Sequence, residues 1–333
     1  MPFLKNNALT FDMVIAADKQ TPQVRLVEVS REDAGQRIDN FLSRHLKGVP
    51  RSMIYRILRR GEVRVNSGRI QPRYKVKAGD RVRIPPVRVA AGRPAALPGN
   101  RLPDIESRIV FENARLLVID KPAGMAVHGG SGISHGIIET LRARRPDAPY
   151  LELVHRLDRD TSGCLIIAKR RSALRSLHEQ LRNGQMTKRY LALVRGRWTG
   201  GRRRVTAALE KNRLQGGERV VKVAAGGKSA ETVFRPVTVY DVASLLEVDL
   251  YTGRTHQIRV HAAHIDYPLA GDARYGDPEF NRSMKTRGLR RLFLHAHLIE
   301  FTEPASDEML TVSTPLGDEL KQVLDNLETH NDD

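Results

Sequence analysis

With 333 residues the chain has room for two domains and at least one sizeable core, and Lys plus Arg outnumber Asp plus Glu by 18. A field that positive favours a polyanion, nucleic acid before an acidic membrane. No apolar run approaches the roughly 18 residues needed to cross a bilayer, the start MPFLKNNALTFDMVIAADKQ lacks a signal peptide's apolar stretch and cleavage site, and the single cysteine, Cys164, excludes an internal disulfide or a zinc site of several thiolates.

Residues 1–28 carry no sustained period and are expected to form a leader. From residue 29 to 90 a small basic module is predicted. Between Arg31 and Ala90 there are sixteen Lys/Arg against five Asp/Glu, most of the chain's excess charge. Ile38, Phe41, Leu42 and Leu46 recur at helical spacing. A second helix is expected to start at Ser52, with the serine hydroxyl as its cap. Its apolar members are Met53, Ile54, Ile57 and Leu58, while Arg56, Arg59 and Arg60 share another face. Val63-Arg64-Val65 and Arg81–Ile84 alternate as strands, with turns at Asn66-Ser67-Gly68 and Gly79-Asp80. One charged helix face is ordinarily just solvated, but the positive charge continues through Lys75, Lys77, Arg81 and Arg83, which favours a phosphate-binding surface. Arg51, Ser52, Arg56, Arg59, Arg60 and Lys75 are the candidate RNA-binding residues.

Residues 91–103, rich in Pro, Gly and Ala, are expected to form a linker. A larger domain should follow over 104–328, with a short tail at 329–333. It opens with a predicted hairpin, Ile109-Val110-Phe111 and Leu116–Ile119, broken at Lys121-Pro122-Ala123-Gly124. A glycine-rich loop at 128–132 precedes a helix carrying Ile137, Ile138 and Leu141. Then comes a polar turn between apolar segments, His155-Arg156-Leu157-Asp158-Arg159-Asp160-Thr161-Ser162-Gly163, and a strand, Leu165–Ala168. Such loops carry polar groups to the mouth of a scaffold, although Asp, Thr, Ser and Gly are also ordinary turn residues.

Beyond it, Leu174, Leu177 and Leu181 mark a helix ending at Gly184. Strands are expected at Tyr190–Val194, Glu231–Phe234, Ser244–Leu250, Leu292–Leu294 and Leu310–Val312, with helices over Thr255–His264 and Glu319–Glu328. Strands do not alternate strictly with helices, so the fold class is α+β on a mixed, mostly antiparallel sheet.

Two motifs fail on spacing. Gly226-Gly227-Lys228-Ser229 has Lys222 where a phosphate-cradling loop needs glycine, and Gly130-Ser131-Gly132 has His135 where a dinucleotide fingerprint needs its third glycine. His256, His261 and His264 lack a zinc site's spacing and nearby carboxylates, so helix-surface or RNA-facing roles are expected. His295 and His297 alternate on a strand, with a buried hydrogen-bonded role as the default. Asp158 beside Arg156, Tyr190 at the head of an apolar strand, and Arg259 within Thr252–His261 remain. Singly, each reads as a surface ion pair or a core tyrosine.

Taken together, the motifs carry a resemblance. The basic module, through Gly35–Asp39, Gly61–Asn66, Tyr74-Lys75-Val76 and Gly79-Asp80, resembles the S-four-type RNA-binding module. His155–Asp158 with Thr161-Ser162-Gly163, the Tyr190 segment and Thr252–His261 resemble the three motifs of the RluA-type family of pseudouridine synthases, bacterial enzymes that modify ribosomal RNA. Pro268-Leu269, Gly271-Asp272, Tyr275-Gly276 and Leu294-His295-Ala296 resemble its later landmarks. Leu46–Arg59 and Arg83–Ala90 are nearly the strings of the branch acting on large-subunit (23S) ribosomal RNA. Cys164 departs from the usual small aliphatic residue but behaves as one.

The resemblance implies a pseudouridine synthase fold and the isomerisation of particular uridines, with no cofactor or metal. It implies Asp158 as catalytic carboxylate, either nucleophile or base, Tyr190 stacked on the flipped base, and Arg259 paired with Asp158. Arg156 would fill the space the base vacates, and Leu298 would floor the pocket. The expected partner is 23S ribosomal RNA or its assembly intermediates, met by a cytoplasmic monomer and no membrane. A non-catalytic RNA-binding or assembly factor, and a synthase acting on transfer RNA or another stem-loop, are the alternatives at this point.

Overall fold

The computed structural model of the chain describes residues 23–46, 49–87, 103–129, 135–213 and 219–328. It divides into two compact units, Met1–Ala96 and Leu97–Asp333. The linker expected at 91–103 lies outside the described residues but for Pro103, as do the tail at 329–333 and most of the glycine-rich loop.

In the first unit, α1 (Ile38–His45) and α2 (Arg51–Arg59) follow β1 (Arg25–Glu28) and precede β2 (Arg64–Val65), β3 (Gly68–Arg69) and β4 (Arg81–Ile84). The strands form one antiparallel sheet in the order β1-β4-β2-β3. Ile38, Phe41 and Leu42 of α1 and Ile54, Ile57 and Leu58 of α2 are buried with Val65, Val82 and Ile84 in one core. Each such side chain contributes about 1.5–3 kcal/mol on burial. Asp80, also buried, ties the sheet's turns together. It accepts from Asn66 Nδ2 at 2.9 Å, the Tyr74 hydroxyl at 2.9 Å and the Lys77 N–H at 2.8 Å.

Two expectations for this unit are corrected. The leader does not run to residue 28, because Arg25–Glu28 pairs with β4, Val27 opposite Val82. Four residues on a mostly exposed edge are too few to show a period. The second helix starts at Arg51, not Ser52, with Pro50 at its N-cap and no side-chain cap. The Pro50 carbonyl accepts the N–H groups of Met53 at 2.9 Å and Ile54 at 3.2 Å, so the first turn closes on the backbone from Pro50 onward.

The second unit is built on one sheet. Its strands are β5 (Ile109–Glu112), β6 (Leu116–Lys121), β7 (Glu152–Leu153), β8 (Ser162–Ala168), β9 (Thr187–Arg195), β10 (Arg203–Thr206), β13 (Glu231–Val239), β14 (Ala243–Leu250), β15 (Leu294–Thr302) and β16 (Met309–Ser313). They run in the order β10-β13-β14-β9-β15-β8-β6-β5, with β16 beside β15 and β7 beside β8. Among the described residues only the β8–β15 pair is parallel. A separate hairpin of β11 (Leu209–Arg213) and β12 (Arg219–Val223) packs near α5 (Gln257–His264) through Leu209, Val221 and Val260.

Alternation along the strands loads both faces. Ile119, Ile167, Tyr190, Ala192, Leu246 and Leu294 pack with Ile137 and Leu141 of α3 (Ile137–Arg144) and Ile258 and Ala262 of α5. Leu193, Leu245 and Phe293 meet Phe280 and Met284 of α6 (Pro278–Thr286) and Leu320, Val323 and Leu327 of α7 (Asp318–Glu328). Val118, Cys164, Ile166 and Ile299 meet Leu177 of α4 (Arg171–Asn183). The α+β fold on a mixed, mostly antiparallel sheet is therefore what forms. No helix among the described residues is long and apolar enough to cross a membrane.

Candidate active site

The nine-residue turn joins β7 to β8 with its side chains sorted inward and outward. His155 turns in, its Nε2 accepting the Ile166 N–H at 3.1 Å. Burial pushes this imidazole down to about 4, so it stays a neutral acceptor. Leu157 is buried, Arg156 is exposed, and Asp158 lies between those extremes.

The turn is pinned from below by Lys121 at the end of β6. Its fully buried Nζ donates to the carbonyls of Pro122 at 2.8 Å, Met125 at 2.7 Å and Arg159 at 2.9 Å. Burial pushes this group down to about 7. Three carbonyl acceptors nonetheless match the three N–H of an ammonium, and that geometry decides for the charged form. On the far side, Ser162 Oγ lies 2.9 Å from His295 Nδ1, and β8 runs against β15. Gly163 has φ +106°, and a Cβ there would stand 2.3 Å from the Ala296 carbonyl oxygen. Only glycine allows the motif to enter the sheet at that point.

One cavity is lined by Arg156, Leu157, Asp158, Thr161, Tyr190, Leu250, residues 253–259 and Leu294. Asp158, Tyr190, Arg259 and Arg156, drawn from three distant segments, thus share a single site. Arg259 Nη1 lies 3.6 Å from Asp158 Oδ2, an ion pair without a direct hydrogen bond. Its hydrogen bonds go to Asp272, from Nε and Nη2 at 2.7 Å each. Burial pushes the Asp272 carboxyl up, but these bonds, the Arg259 charge and the N–H groups of Tyr275 and Arg274 outweigh it and hold it below the ordinary range. Burial and then the nearby Asp158 push the Tyr190 phenol upward, so it remains protonated.

The third motif is held by Gln257, which is buried. Its Oε1 accepts from the Thr252 hydroxyl at 2.7 Å and the Arg254 N–H at 3.0 Å, and its Nε2 donates to Glu231 O and Thr232 Oγ1 at 2.9 Å each. His256 adopts the left-handed conformation, φ 53° and ψ 22°, which costs on the order of 1–3 kcal/mol for a residue other than glycine. This delays the helix expected from Thr255 to Gln257. Nδ1 of His256 lies 2.9 Å from the Tyr275 hydroxyl.

Several site residues carry no signal in the sequence. Asp272 stands there only as a landmark, Lys121 only as a strand breaker, and His256 as a helix-surface residue. The expected floor, Leu298, does not line the cavity; Leu294 does. The pairing of β15 with β9 shifts register between His295 and Leu298, and a strand period cannot anticipate that. Arg51, Ser52, Arg56, Arg59, Arg60 and Lys75 are all exposed on the first unit.

The sequence profile of the RNA pseudouridylate synthase family matches residues 115–264, and that of the S4 domain matches 36–82. Ribosomal large subunit pseudouridine synthase C of Escherichia coli K12 is 54% identical over 312 residues, 92% of this chain and 98% of that protein. The chain belongs to the RluA family of RNA pseudouridine synthases. The ribosomal large subunit pseudouridine synthase C of Pasteurella multocida is also 54% identical, over 90% of this chain and 93% of that one. Human RNA Pseudouridylate Synthase Domain Containing 4 superposes with a TM-score of 0.56 at 25% identity, covering 67% of this synthase and 94% of that chain. As a pseudouridine synthase the protein isomerises uridine to pseudouridine in RNA. Asp158, which lines its cavity, has a cation beside it and a protonated phenol nearby.

Proposed function

We propose that the protein isomerises particular uridines of large-subunit (23S) ribosomal RNA, free or in assembly intermediates, as a cytoplasmic monomer. The observation that carries this is the meeting of Asp158, Tyr190 and Arg259 in one cavity with the exposed Arg156. The name of its 54% identical relatives supports the large-subunit substrate.

In this reading Asp158 is the catalytic carboxylate, acting on the sugar–base bond as nucleophile or base. Arg259, with Nη1 3.6 Å from Oδ2, is its counter-charge. Tyr190 stacks on the flipped uracil. Extruding a base costs a few kcal/mol of lost stacking, which a side chain entering the gap offsets, and Arg156 takes that part. Arg51, Arg56, Arg59, Arg60 and Lys75 bind phosphates by charge, with the Ser52 hydroxyl as a further donor.

The test is Asp158→Asn with a large-subunit ribosomal RNA transcript. Pseudouridine formation should disappear while RNA affinity stays within about twofold, because the phosphate contacts that dominate affinity are untouched. Normal modification by this variant would overturn the assignment. Mapping pseudouridines in cells with and without the protein identifies the uridines. Sites appearing only in transfer RNA would overturn the substrate.

A further inference from the structure

His256 has no role in the reaction as described above, yet it sits against its centre. Its Nε2 lies 3.9 Å from Oδ2 of Asp158, the oxygen that Arg259 approaches at 3.6 Å. Its backbone is left-handed, a conformation that glycine or asparagine would adopt at less cost. A strained backbone at an active site is a pointer to function.

The carboxylate facing Nε2 calls for the ring proton on that side, and the hydrogen bonds around Tyr275 are consistent with it. The backbone N–H of Val221 donates to the Tyr275 oxygen at 3.0 Å, and an amide N–H can only donate. The phenolic O–H is then free to donate to His256 Nδ1, 2.9 Å away. A neutral imidazole accepting at Nδ1 holds its proton on Nε2, facing the carboxylate. The other tautomer would set a lone pair against an anion. Burial is the main influence keeping the ring neutral; Asp158 opposes it, and Arg259 and Arg274 add to it.

We propose that His256 is a positioning residue for the isomerisation: the Tyr275–His256 pair presents a fixed N–H to Oδ2 of Asp158 and, with Arg259, orients the carboxylate so that Oδ1 meets the sugar. At 3.9 Å the contact is open, as catalytic contacts often are before substrate binds and tightens them. The inference rests on Asp158 being the catalytic carboxylate.

The experiment compares full-length His256→Gly, His256→Gln and Tyr275→Phe with Asp158→Asn, on a large-subunit ribosomal RNA transcript. Glycine removes the ring and relieves the left-handed backbone, so the variant should fold. Its single-turnover rate should fall by about 10- to 100-fold, the scale of a misplaced catalytic group, with RNA affinity within about twofold. Glutamine, which restores an N–H donor, should recover most of the rate. Tyr275→Phe should be intermediate and should move the His256 ring-nitrogen chemical shifts away from the Nε2–H tautomer.

A glycine variant as fast as wild type overturns the proposal. So do glycine and glutamine variants equally slowed with equally lowered melting temperatures, since that marks a structural role. Should Asp158→Asn stay active, the assignment of the carboxylate itself fails. Should it be inactive while His256→Gly is fully active, only the present inference falls.

Discussion

Arg259 spends both arms of its guanidinium fork on Asp272, and that bond fixes where its remaining Nη1 points. Both partners are buried. Asp272→Ala would remove both hydrogen-bond acceptors of a buried cation and leave it only the longer ion pair with Asp158, a change that should cost about 3 kcal/mol in urea unfolding. The same variant should slow pseudouridine formation, because Arg259 is then free to move off Asp158. His155 supplies a pH dependence of calculable sign. Its pKa falls from an ordinary value of about 6.5 to about 4 on folding, so the unfolded chain binds the proton more readily between those limits. The stability it contributes is complete above about pH 6.5 and is lost as the pH falls towards 4. Unfolding midpoints should therefore drop between pH 7 and pH 5, and less so in His155→Gln.

Between β8 and β15, two elements far apart in the chain, the site depends on close approach of backbone to backbone. Gly163→Ala adds a Cβ at 2.3 Å from the Ala296 carbonyl and forces a side chain onto a φ of +106°. The variant should lose more than about 1 kcal/mol in denaturant titration, and its modification rate should fall with the displaced turn. β6 makes the matching contribution from the other side, where Lys121 collects three carbonyls from two loops. A hydrophobic substitute such as methionine leaves all three acceptors unmet, each at about 1–3 kcal/mol, so Lys121→Met should be among the least stable single variants in a thermal melt.

The whole molecule joins a basic module to a catalytic sheet, each with its own core. Deleting residues 1–96 should leave the second unit folded by circular dichroism, because its strands and helices bury their apolar faces against one another. RNA affinity should fall, and the dependence of log Kd on log salt should flatten by about one unit for each phosphate that the shortened protein no longer neutralises. Unchanged affinity and slope would contradict the anchoring role of the module.

Much of this was legible in the residues alone. A period of 3.6 located α1, α4 and α7, since each buries one face and its apolar spacing records it, while β8 and β9 showed as continuous apolar runs because both of their faces are buried. The positive balance, the basic module and the turn around Asp158 are likewise local properties of the string. Short or edge elements such as β1, β3, β7 and β10 were not legible. They span only two to four residues, and few of their side chains are buried enough to leave a pattern. The active centre depended most on tertiary structure. Asp158, Tyr190 and Arg259 are separated by more than thirty residues at each step, and only the pairing of β8, β9, β14 and β15 brings their segments to one cavity. Asp272 and His256 take their meaning from distances of a few ångströms, because charge pairing and hydrogen bonding fall off over that range and sequence spacing does not measure it.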